Sequence, residues 1–184
     1  MDLLPTDEQD EIIATVRSQL DREFDLHALA ASDGAAQVVD AALWARCAEL
    51  GWFGLGLQEA LGGVGYTLAE EALLFAELGA HATPGPFLAT VLGGRLAALA
   101  GAIELRDGIL SGTQRIALAE PHGDPDATAG ATVSGTFRVT DHGGADLVLV
   151  MVGDTASVVA ASDLVAGPMP SLDLLVPSAI GTVS

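Results

Sequence analysis

The 184-residue sequence contains no lysine and only one cysteine. Without lysine there is no P-loop lysine, no Schiff-base amine and no Ser-x-x-Lys nucleophile pair. A lone cysteine, Cys47, excludes an internal disulfide and fits a reducing compartment. It stands beside Trp44 and Leu50 in a helical pattern, the setting of a small buried apolar side chain rather than a nucleophile. Basic residues are also scarce: seven arginines face 25 carboxylates, for a net charge of −18. Such a surface repels phosphate backbones and anionic lipid, so the expected partners include no nucleic acid and no membrane. No apolar run approaches bilayer length. Met1 to Glu11 is acidic and lacks the basic start of a signal peptide, so a soluble, cytoplasmic protein is expected.

Half of the residues are apolar, enough to build a sizeable core in one large or two small domains. Thr6-Asp7-Glu8-Gln9 has the form of a capping box, followed by Ile12, Ile13, Val16 and Leu20 on one helical face. Residues 25 to 34 read as a connection. Val38, Val39, Ala42, Leu43, Cys47 and Leu50 form the next stripe, with Gly51 at the C-terminal cap position. The glycine-rich stretch from Trp52 to Gly65 interrupts regular structure. Thr67-Leu68-Ala69-Glu70 is a second capping box, opening a helix expected to stop at Gly79. Pro84-Gly85-Pro86 turns a corner, with Pro86 expected at the first position of a helix carrying Phe87, Val91, Leu92, Leu96 and Leu99. A short helix is expected from Ile103 to Leu110, and a boundary at Ser111-Gly112.

Beyond that boundary the period changes to that of strands. Arg115 to Ala119, Ala131 to Val133, Phe137 to Thr140, Leu147 to Val152 and Ser157 to Ala161 are short β-branched runs divided by turn residues. Asp173 to Ser184 offers one more strand. The fold class expected is α+β: an all-α helical domain over residues 1–112, then a partial antiparallel β-barrel-like domain over residues 113–184. The β half reads as unfinished, because exposed sheet edges invite association.

Leu43-Trp44, Glu49-Leu50-Gly51-Trp52, Glu59-Ala60-Leu61-Gly62-Gly63-Val64-Gly65, Glu77-Leu78-Gly79 and Pro84-Gly85-Pro86-Phe87 together resemble the N-terminal helical domain of acyl-CoA dehydrogenases. Gly112 to Pro121 resembles that family's first β segment with its Thr-Glu-Pro corner, and Gly135 to Asp146 its next strand. The similarity runs over nearly the whole sequence. It implies a helical domain, a β domain and a C-terminal four-helix bundle, with FAD held between the last two. In such enzymes a glutamate from the bundle removes the α-proton of an acyl-CoA thioester while the β-hydride passes to the flavin. The protein contributes orientation, a carboxylate base and hydrogen bonds to the thioester carbonyl.

Carried onto this sequence, the resemblance puts Leu118, Ala119 and Glu120 along the flavin edge and Val139 and Thr140 against its ring. Three departures stand out. Ala119 replaces the family threonine, Glu120-Pro121-His122-Gly123-Asp124 is shorter than the family loop, and Arg138 falls near the usual tryptophan. The bundle and its base have no counterpart here, and no carboxylate present takes the base role by spacing. The expected function is therefore that of an FAD-dependent acyl-CoA dehydrogenase-like subunit or fragment, inactive alone, acting on a fatty or steroid side-chain thioester. It would assemble as a homo- or hetero-oligomer with a similar subunit. The alternative is a non-catalytic partner of such an enzyme, and a bare acidic helical scaffold is a third reading.

Other constellations carry less. Gly62-Gly63-x-Gly65 lacks a preceding strand and the Gly-x-Gly-x-x-Gly spacing, so it reads as a tight turn rather than a phosphate cradle. His122 and His142, near Asp124, Asp126 and Asp141, match no metal-ligand spacing. CoA's phosphates would meet only scattered arginines, so the positive surface comes from a few local donors or from another polypeptide.

Overall fold

The computed structural model describes residues 4–24, 39–170 and 176–183. Five helices precede six strands among them. The connection expected over residues 25 to 34 lies outside the described residues, as does Val38.

Helix α1 (Asp7–Glu23) starts from the expected capping box: Gln9 N–H donates to Thr6 Oγ1, and Thr6 N–H to Gln9 Oε1. Its first-turn acids Asp7, Glu8 and Asp10 sit at the positive end of the helix. Helix α2 (Ala41–Glu49) is capped by Asp40, which accepts from the N–H groups of Ala42 and Leu43. Gly51 follows in the left-handed conformation, φ 75°, as its place in the pattern requires. Two single-turn 3-10 segments, Trp52–Gly54 and Glu59–Leu61, then carry the chain to α3 (Leu68–Ala80). The capping box at Thr67 and Glu70 is present, and α3 runs one residue past Gly79. Helix α4 (Phe87–Leu99) has Pro86 as its N-cap, one position before the first helical turn, and α5 (Ile103–Leu110) is as expected.

An aromatic cluster welds these pieces. Trp44 packs in tilted geometry against Phe53, 4.4 Å between centroids, and against Phe87 at 5.0 Å. Cys47 is buried beneath it, and burial pushes its thiol up to about 12. Helix α1 is pinned to α3 by polar ties rather than by apolar area alone. Arg17 makes a bidentate bond to Glu77 at 2.7 and 2.9 Å, Gln9 donates to Glu70 at 2.7 Å, and His81 Nε2 meets Asp21 at 3.0 Å. Gly63 is a close-approach glycine: a Cβ there would collide with the Leu57 carbonyl.

Strands β1 (Ile116–Pro121), β2 (Gly135–Thr140), β3 (Leu147–Val152), β4 (Thr155–Ala160), β5 (Val165–Met169) and β6 (Ser178–Val183) make one sheet in the order β4-β3-β1-β2-β6-β5. The helical half followed by an unclosed β half is the expected fold class. The sheet is mixed, since β1 and β3 run parallel while every other pair is antiparallel. Two strand expectations change. Ala131 to Val133 is not a strand but the tip of a loop clipped by the Thr128–Ser134 bridge and held to Ser157 through Gly130. β5 has no sequence signal, for its Gly167-Pro168 suits only an edge strand, where it is found.

One sheet face closes over Phe137, Val139, Ala117, Ala119, Val150 and Leu164. On the other, Ile116 and Leu149 pack with Ala89 of α4 and Ile109 of α5. The α4 backbone reaches the sheet because Gly93 has no side chain; a Cβ would lie 2.7 Å from Ile116 Cδ1. No helix among the described residues is long and apolar enough to cross a membrane.

Replacing Gly63 by alanine is expected to cost several kcal/mol, because the obstacle is backbone and cannot rotate away; a chemical denaturation midpoint within experimental error of the parent would refute this. The polar ties give a two-sided pH profile. Hydrogen bonds from Gln9 and Thr67 hold Glu70 down to about 2, and Arg17 lowers Glu77, so their stabilisation is complete above the ordinary carboxylate value of 4.5 and fades as pH falls. His81 is raised, chiefly by its bond to the Glu77 carbonyl and then by Asp21, so its contribution is complete below 6.5 and is lost as pH rises through the elevated value. Melting curves should show Glu70→Gln flattening only the acid limb and His81→Gln only the limb above neutrality.

Candidate functional site

The residues singled out from sequence lie on two neighbouring strands. In the antiparallel β1–β2 ladder Leu118 pairs with Thr140, Ala119 with Val139 and Glu120 with Arg138. Side chains alternate across a sheet, so this contiguous set divides between two faces. Ala119 and Val139 point into the sheet core and have no exposed surface. Leu118, Glu120, Arg138 and Thr140 share the helix-side face; Leu118 packs against the cluster that holds Ala89 of α4 and Ile109 of α5, and the face is exposed at Glu120 and Arg138.

This open part is a small mixed surface. Leu118 is half-buried and joins the apolar cluster of Ile116, Leu149 and Met151. Thr140 Oγ1 reaches the Leu118 carbonyl at a long 3.5 Å, which leaves the hydroxyl able to turn to another acceptor. Glu120 and Arg138 form a cross-strand ion pair at 3.0 Å with both side chains about half exposed, 50% and 49%. The strands position these groups rigidly, since β2 is itself paired along its whole length with β6.

The loop after Pro121 is tied internally. Asp124 accepts from Thr136 N–H at 2.9 Å and from Asp126 N–H at 3.1 Å, so its carboxylate organises the loop. His122 is exposed, whereas the His142 ring is half-buried in a different turn. Among the described residues no three His, Cys, Asp or Glu side chains are grouped to hold a metal ion.

A cleft that the residue patterns did not reveal opens next to Thr140. It measures about 440 Å³ and is lined by Phe75, Leu78, Thr83, Leu88, Asp141 and Val176, among others. Asp141 takes a left-handed φ of 57°, which turns the chain from β2 into this cleft. Leu88 is 51% exposed on the first turn of α4. The sequence signals available were the Pro84-Gly85-Pro86 corner and the Asp141-His142-Gly143-Gly144 turn, which are far apart in the chain.

A family model described as "Acyl-CoA dehydrogenase, N-terminal domain" matches residues 6–115. A search of the curated proteins finds no match. Among solved structures, the ChsE4-ChsE5 complex from Mycobacterium tuberculosis superposes with a TM-score of 0.78 at 20% identity, covering 100% of this chain and 56% of that one. PigA with FAD and proline gives 0.77 at 16% identity, covering 99% and 56%. Butyryl-CoA dehydrogenase from Megasphaera elsdenii gives 0.75 at 18% identity, covering 100% and 57%. At such identities the likeness is one of fold, and this chain spans little more than half the length of these structures.

Because the Glu120–Arg138 pair is exposed, Arg138→Ala is expected to change stability by less than about 1 kcal/mol. Phe137→Ala, one residue earlier in the sheet core, should cost about 3–5 kcal/mol. Equal losses in urea unfolding would mean that the ion pair is structural and not part of an open site.

Proposed function

We propose, starting from the fact that this chain belongs to the acyl-CoA dehydrogenase family, that it forms one wall of an FAD site used in α,β-dehydrogenation of an acyl-CoA thioester. The opposite wall, with the carboxylate base, comes from further polypeptide. The observation that carries this reading is the helix-side end of β1 and β2, where an apolar side chain, a hydroxyl and an ion pair lie side by side and the chain leads through Asp141 into a cleft of about 440 Å³.

These residues fit a flavin. Leu118 offers an apolar contact that excludes water from one ring face, and the Thr140 hydroxyl can donate to a ring acceptor. Ala119 and Val139 are core residues, so their part is to set the spacing of the two strands and, at most, to present main chain. Glu120 is held by Arg138 and takes no proton from substrate in this reading. When bound, FAD would accept the hydride. The 440 Å³ cleft, with Phe75, Leu78 and Leu88 in its wall, suits an apolar acyl portion.

A second reading, that of a non-catalytic partner subunit, is favoured by one observation. The shortened loop after Pro121 is engaged by its own Asp124, which accepts from the N–H groups of Thr136 and Asp126. The ChsE4-ChsE5 structure is itself a complex, which makes assembly with another subunit a consistent arrangement.

The test uses the native assembly purified through a tag on this chain. Flavin absorbance should accompany it, and Leu118→Glu should reduce flavin retention at least tenfold while Val165→Thr, on the exposed edge strand, leaves it unchanged. Normal flavin content with Leu118→Glu would remove this chain from the flavin wall and leave the partner-subunit reading.

A further inference from the structure

We propose that a groove between α1 and the turn running from Leu50 to Tyr66 docks a segment of another protein, one carrying a branched apolar side chain flanked by arginine or lysine. The groove measures about 330 Å³, room for one or two aliphatic side chains. Val16, Trp52 and Leu55 are buried at its floor, while Leu50 and Val64 stand in its walls at 41% and 40% exposure. Exposed leucine and valine lining a concavity are unfavourable in water and are relieved by an apolar insert.

The rim sets the sign of the partner. Glu8 and Glu11 line the groove, both exposed, and among the described residues neither carboxylate has a hydrogen-bond or ion-pair partner. Their neighbours facing α3 behave differently, for Gln9 and Arg17 are bonded to Glu70 and Glu77. Among the described residues no cation lines the groove. Two free carboxylates one helical turn apart beside an apolar hollow form a complementary target for cationic side chains next to an apolar one.

A second copy of this chain is the wrong occupant. It brings a net charge of −18. Of its seven arginines, Arg17, Arg46, Arg95, Arg106 and Arg138 are held in internal ion pairs, Arg22 bonds to its own helix and Arg115 is half-buried. A basic partner gains attraction at the rim and steering from the acidic surface as a whole. The groove lies on the helical half, remote in sequence from β1 and β2, so the proposal stands apart from the flavin reading.

The whole chain, labelled at its methyl groups, is titrated with three blocked peptides: Ala-Arg-Leu-Arg-Ala, Ala-Glu-Leu-Glu-Ala and Ala-Arg-Ser-Arg-Ala. The expected result is shifts at Ile12, Val16, Leu50 and Val64 with the first peptide only, weakened by added salt. Glu8→Gln with Glu11→Gln should reduce that affinity about fivefold without altering the fold, as two exposed charge contacts are lost. Val64→Asp should abolish it, with circular dichroism reporting an unchanged fold. No shift with any peptide, or equal shifts with all three, overturns the proposal. So does concentration-dependent self-association that Val64→Asp removes, since it would make a second copy the occupant.

Discussion

The close approach of α4 to β1 at Gly93 is the constraint on which the rest of the molecule depends. A side chain there would strike Ile116, and the neighbouring Gly94 gives the same access to Leu110. With both glycines in place, α4 lies between the aromatic cluster on one side and the sheet on the other. Nearly all of its circumference is buried, and only positions such as Leu88 and Leu99 reach solvent. That seating covers β1 as far as Leu118, which packs against the same cluster, and leaves Glu120 and Arg138 exposed. The patch of Leu118, Thr140, Glu120 and Arg138 runs from half-buried to exposed where that cover gives out.

Charge is used in two ways that its total conceals. The buried carboxylates Glu70, Glu71 and Glu77 are each matched by a donor on another element: Gln9, Arg95 and Arg17. These ties determine how α1 and α4 sit on α3, and removing one partner leaves a carboxylate with its solvation already lost. Among the described residues the other acids are at least partly exposed, and the net charge of −18 favours cationic neighbours. Most arginines are already engaged in internal ion pairs, which leaves little unpaired positive charge on the described residues.

The helical half was legible because its signals are local. Thr6 with Gln9, Thr67 with Glu70, and Gly51 after its apolar stripe each specify a helix end within a few residues, and the structure has all three. The β half was less so. The parallel pairing of β1 with β3 joins segments about thirty residues apart by way of β2, and no local residue pattern encodes that choice. Strand β5 contains glycine and proline and lies at an edge, where ladder rules relax. At the candidate site the resemblance supplied a contiguous run, and alternation divided it: Ala119 and Val139 went to the core, and Leu118, Glu120 and Thr140 to the open face. The cleft beside them is assembled from α3, α4, Asp141 and Val176, which only the folded chain brings together.

The most direct test of this account is a structure of the native, flavin-bearing assembly that contains this chain. The account requires the isoalloxazine ring to lie in van der Waals contact with Leu118 and within hydrogen-bonding reach of the Thr140 hydroxyl. A ring seated elsewhere, with the open end of β1 and β2 packed against protein alone, would contradict it.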